Sequence, residues 1–147
     1  MEINSVNILG ACLSIFILSI CSLVFIFRLG GNHKVEYLLG WILILMIIPL
    51  TFLLITAKQF QRPPIYYIQI GLMIAFLILE LFLDYICKLE FRKITWITVI
   101  YIIIFFSGTG GMIGVATLAG RIWMIAAVVL FFIMTILSLV QRKITGM

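Results

Sequence analysis

Two carboxylates, Glu80 and Asp84, stand one helical turn apart inside the run IYYIQIGLMIAFLILELFLDYICK, residues 65–88. Wound at about 100° per residue, this run gathers Tyr66, Gln69, Met73, Phe76, Glu80, Asp84 and Lys88 into one stripe. Ile, Leu and Phe cover its other faces. An ionised acid facing lipid near the centre of a membrane helix costs about 2.5–3.5 kcal/mol. Such a group therefore turns to the bundle interior, takes up a proton or pairs with a cation. The chemistry implied is a proton, cation or amine site, with Glu80 as the deeper ligand, Asp84 assisting, and Gln69 continuing the polar stripe. The plainer alternative is an Asp84–Lys88 pair at the interface, with Glu80 and Gln69 each hydrogen-bonded to a neighbouring helix.

The elements that must position these groups follow from composition. The chain has 147 residues, of which 65% are hydrophobic and 10% charged, against about 25% charged in a soluble domain. Its apolar residues fall in blocks of about 20, the length that crosses a bilayer core at 1.5 Å per residue. The expected fold is all-α, a polytopic membrane bundle of five helices forming one domain over residues 1–147. The expected spans are residues 8–27, 36–57, 65–87, 95–117 and 122–140. The first apolar run lacks a basic leader and a small-residue cleavage site, so it is expected to be a retained span.

The last two spans share one long apolar stretch, residues 95–140, interrupted by a single charge, Arg121. A break at the glycine cluster 107–111 would leave only about 12 residues for the first crossing, too few for a bilayer. A break near Gly120 leaves two adequate spans and sets Trp123 in an interfacial belt. The second placement is the expectation.

Five crossings divide the ten basic residues unequally. Arg28, Lys34, Lys88, Arg92, Lys93, Arg142 and Lys143 fall on one side, and Lys58, Arg62 and Arg121 on the other. The positive-inside bias then sets the N-terminus outside and the C-terminus in the cytoplasm, in a plasma (inner) membrane crossed several times. Membrane lipids account for this net charge of +5; no nucleic-acid partner is implied.

Other residues carry weaker signals. Gly108, Gly110, Gly111 and Gly114 lie within one span, and Gly110 with Gly114 forms a GxxxG. Either two helices pack closely there, or the segment is locally unwound and lines a cavity. Pro49 removes one helical hydrogen bond and should kink the second span near Leu45. Asn7, Gly10, Ser14 and Cys21 share a face of the first span and read as a packing seam. The glycines match neither a dinucleotide fingerprint nor a P-loop. Three cysteines without a CxxC, and one histidine, His33, make no metal-ligand set, so neither a metal nor a cofactor is expected.

In size and span count alone the chain is similar to the translocator-protein family; no sequence motif of that family is matched, and the chain is not assigned to it. The function expected is a small binding or transport-related membrane module with an intramembrane acidic site, leaning away from an enzyme. Alternatives are a non-catalytic subunit or oligomeric interaction protein, docked through its glycines to itself or a partner, and a lipid-modifying enzyme using Glu80 and Asp84 as acid and base.

Overall fold

Pro49 divides the second span. Proline has no N–H to offer the carbonyl four residues back, and its ring crowds that carbonyl. The helix stops at Leu45, turns at Met46 through a short Met46 N to Leu43 O bond of 3.1 Å, and resumes at Ile47. The computed structural model describes residues 3–86 and 94–145, except the side chains of residues 84–86 and 145. In these residues the elements run α1 (Ile3–Leu29), α2 (His33–Leu45), α3 (Ile47–Gln59), α4 (Pro64–Glu80) with a π-helical turn (Leu81–Ile86), α5 (Thr95–Thr117) and α6 (Arg121–Thr145). Counting α2 and α3 as one broken span, five helices are long and apolar enough to cross a membrane.

Turn chemistry closes each connection. The α1–α2 turn uses Gly30 and Gly31, the latter at φ +75°, and Asn32 caps α2 by accepting from the Val35 N–H at 3.4 Å. The prolines end the α3–α4 loop, with Pro64 opening α4, where a missing N–H is harmless. The α5–α6 turn occupies Leu118–Gly120, and Gly120 has φ +141°. Only glycine adopts that conformation without strain. The chain thus breaks after Thr117, and α5 runs as a continuous α-helix through the glycine cluster. The locally unwound segment considered for Ser107–Gly114 is not present: its roughly two turns stay α-helical, with a neighbouring helix packed directly onto them.

That neighbour is α4. A Cβ at Gly108 would lie 3.2 Å from Leu72 O and Met73 Cα, and one at Gly111 would lie 3.2 Å from Gln69 Cα. Gly110 instead faces the Phe131 ring of α6 at 3.9 Å. The close-approach seam is therefore Gly108 with Gly111, not the GxxxG pair Gly110 and Gly114. A helix crossing drawn along the i, i+3 row selects the first pair.

α1 is the most enclosed span, packed by α2, α3, α5 and α6. Its Gly10, Ala11, Ser14 and Cys21 are buried. α4 packs on α5 and α3, while α6 covers α1 and α5 and is the least buried span. Large apolar side chains are exposed on every helix, including Ile26, Ile48, Ile68, Ile103 and Ile122. Apolar exposure spread around a whole bundle is what a hydrocarbon solvent requires, where water would penalise it.

Candidate functional site

Buried polar side chains are where function is sought in such a bundle. Among the described residues these are Ser14, Ser22, Glu80, Thr109 and Gln141. Three are satisfied within their own helix: Ser14, Ser22 and Thr109 donate to the carbonyls of Gly10, Leu18 and Phe105 at 2.8, 2.9 and 2.7 Å. Such back-bonding is ordinary and leaves little to bind a ligand. Glu80 differs. It is the buried carboxylate, 8% exposed, and its partner comes from another helix: the Tyr101 hydroxyl of α5 donates to its Oε2.

The stripe on α4 places it there. Tyr66, Met73, Phe76 and Glu80 are all buried, so this face is turned inward. Helix alternation then brings the end of α1, the start of α2, the end of α4 and the start of α5 to one end of the bundle. Their side chains enclose a cavity of about 260 Å³. Glu80 and Tyr101 line it together with Phe25, Phe76 and Phe105. Rings close the walls: Phe76 lies 5.1 Å from Phe105 and 5.6 Å from Tyr101, and Phe25 lies 5.9 Å from Phe105.

A second charged group lines the same cavity. Arg28 Nε donates to Glu36 Oε1 at 2.7 Å, and His33 Nδ1 lies 3.3 Å from Glu36 Oε2. Arg28 and Glu36 are only 13% and 18% exposed, whereas His33 is 80% exposed. The Arg28 guanidinium also lies 5.7 Å over the Phe25 ring, a cation–π contact. The ion pair is short and poorly screened, and it ties the end of α1 to the first turn of α2 across the Gly30–Gly31 turn.

The residues marked out by sequence are thus dispersed. Glu80 is in the cavity. Gln69 lies eleven residues earlier, about 16 Å along the helix, and does not line it. Its side chain is laid over Gly111 and Gly114, where an added Cβ at Gly114 would fall 2.1 Å from Nε2. Asp84 sits in the π-helical turn, whose i to i+5 bonding departs from the α-helical register. Its side chain, and Lys88, lie outside the described residues. Pro49 and the glycines shape packing away from the cavity.

Sequence reading gave Arg28 only a topological role, set His33 aside as a metal ligand, and passed over Glu36 and Tyr101 as site residues. One signal was available: Arg28, His33 and Glu36 flank a two-glycine turn, with His33 and Glu36 spaced i, i+3 on a helix start. Tyr101 gave none, since a tyrosine near a helix end reads equally well as an interfacial anchor. Among the described residues, no group of three or more His, Cys, Asp or Glu is arranged to hold a metal ion.

No family model, curated protein or solved structure matches this chain. The cavity itself is therefore the ground for a functional reading.

Proposed function

We propose that this protein is a small binding or transport-related membrane module whose ligand is a cation held at Glu80, an organic ammonium in preference to a metal ion. The observation that carries the reading is the buried Glu80 carboxylate lining a cavity walled by Phe25, Phe76, Tyr101 and Phe105. A carboxylate supplies charge, and aromatic faces add cation–π attraction that strengthens on desolvation. A hard metal ion needs six or more oxygens in place of its water, and aromatic carbon offers none. Arg28 does not dominate the cavity's field, because Glu36 is bonded to it.

We place this end of the bundle in the cytoplasm on the positive-inside bias, and take the membrane to be a plasma membrane. On that orientation, ligand enters from the cytoplasmic side, past the exposed His33. Reporter fusions at the C-terminus, active only on one side of the membrane, test the orientation directly.

Assembly through a glycine seam receives less support. Gly108 and Gly111 are occupied by α4 and Gly110 faces Phe131, so the small residues are used inside one chain.

The deciding experiment is calorimetric titration of tetramethylammonium and of sodium into the full chain in nanodiscs. Tetramethylammonium should bind and sodium should not. Glu80→Gln should weaken binding about ten-fold or more, which corresponds to about 1.4 kcal/mol. Equal binding by the variant, with the protein still inserted, removes Glu80 from the function.

A further inference from the structure

A second cavity, of about 130 Å³, lies between α1, α5 and α6 at the same end of the bundle. It is bordered by two guanidiniums, Arg28 from α1 and Arg142 from α6, and by Ile102, Phe106 and Leu139 on the facing sides of α5 and α6. We propose that this cavity is a binding site for an amphiphile with an anionic headgroup, namely an anionic phospholipid of the surrounding leaflet.

Three observations converge on this. Arg28 gives its Nε–H to Glu36, which leaves its terminal amino groups to face a second acceptor. Arg142 has no ion pair among the described residues. Both guanidiniums line one small cavity, and a phosphate diester accepts from guanidiniums in a fork geometry.

The hydroxyls beside them do not compete as donors. Thr98 gives its proton to Ile94 O at 3.0 Å and Ser138 to Thr135 O at 2.8 Å. The Tyr101 hydroxyl likewise donates to Glu80, so the charged donors toward the ligand are the arginines, with the buried Gln141 amide beside them.

The apolar part of the lining decides the ligand class. An inorganic phosphate would satisfy the arginines but use none of the apolar lining offered by Ile102, Phe106 and Leu139. A phospholipid places its headgroup at the arginines and its first acyl carbons against those side chains. Basic pockets between membrane helices on the cytoplasmic side bind anionic headgroups in this way. The two cavities adjoin and share Phe25, Arg28, Tyr101 and Phe105, but Arg142 does not line the Glu80 cavity, so a change at Arg142 reports on the lipid site.

Native mass spectrometry of the full chain, released from micelles containing phosphatidylglycerol and phosphatidylcholine with identical acyl chains, tests the proposal. One phosphatidylglycerol should be retained in preference to phosphatidylcholine, and Arg142→Gln should reduce that preference about five-fold. Lys143→Gln changes the same net charge one residue away, outside the cavity, and should leave the preference intact. Arg142 and Lys143 are both exposed, so neither variant threatens the fold. Equal retention of the two lipids overturns the site. Equal loss in Arg142→Gln and Lys143→Gln also overturns it, since general surface charge would then suffice. Displacement of the lipid by excess inorganic phosphate overturns the lipid assignment in favour of the free ion.

Discussion

The Tyr101 hydroxyl donates to the Glu80 carboxylate across the interface of α4 and α5. The two residues come from helices that also touch backbone to backbone at Gly108, less than three turns further along α5. The glycine seam brings the helices close, and the hydroxyl–carboxylate bond uses that closeness at the cavity.

This bond should be measurable as a coupling. Tyr101→Phe and Glu80→Gln, singly and together, form a double-mutant cycle read by thermal unfolding in detergent. Hydrogen bonds to charged groups contribute about 1.5–3 kcal/mol in water-exposed proteins, but membrane cycles average about 0.6 kcal/mol. The expected coupling lies between, at about 1 kcal/mol. Strict additivity would mean the two groups do not interact.

The glycine seam makes a contrast that composition alone does not. Gly108→Ala drives a Cβ against the Leu72 carbonyl and Met73 Cα, backbone atoms that move only if α4 and α5 separate. It should destabilise the protein by about 1–3 kcal/mol. Gly110→Ala meets the Phe131 ring at ordinary contact distance and should be neutral. If unfolding temperatures fell equally for both, the seam would be the GxxxG row after all.

Removing the partner of a partly buried arginine should loosen the wall of the Glu80 cavity. Glu36→Gln leaves Arg28 without its carboxylate and releases the first turn of α2. Cys21 lines that cavity and is 3% exposed, so its modification reports on opening. With Cys12 and Cys87 replaced by serine, Glu36→Gln should speed labelling of Cys21 by a small methanethiosulfonate several-fold. An unchanged rate would show that the ion pair does not hold the wall.

Binding of tetramethylammonium should weaken as pH falls, because protonation of Glu80 removes the charge that attracts the ligand. His33 and Glu36 line the same cavity, as do Arg28, Cys21, Tyr37 and Tyr101. Glu80→Gln should therefore abolish the pH dependence, and His33→Gln should preserve it. A pH dependence that survives in Glu80→Gln belongs to another group.

The turn after α5 gives a local test. Gly120→Ala places a Cβ on a residue at φ +141° and should cost about 1–3 kcal/mol in backbone strain. Ala119→Gly, one residue earlier in the same turn, should cost less. Similar losses would argue against the left-handed conformation at Gly120.

Much of the architecture was legible without coordinates. Block length against bilayer thickness yields five helices able to span, and the interior of a membrane forbids any other secondary structure for such blocks. The inward turn of the Glu80 stripe was one of three outcomes the same solvent argument allowed, beside protonation and pairing with a cation, and the burial of Glu80 selects it. The pairing of glycines was not legible. Gly110 and Gly114 satisfy the sequence rule, yet the crossing of α4 over α5 selects Gly108 and Gly111, and a crossing angle is a property of two helices.

By itself, then, the sequence determined what each segment must do locally: its length, its turns, the residues that share a face, and the presence of an acid among them. Only the tertiary structure decided company. Glu36 meets Arg28 because a two-glycine turn folds α2 back on α1. Tyr101 meets Glu80 because α5 closes on α4 at Gly108, while Gln69, on the same stripe, is taken up by packing. Periodicity acts along one helix, whereas a cavity is made by several, and the spacing between them is set by packing that no single segment encodes.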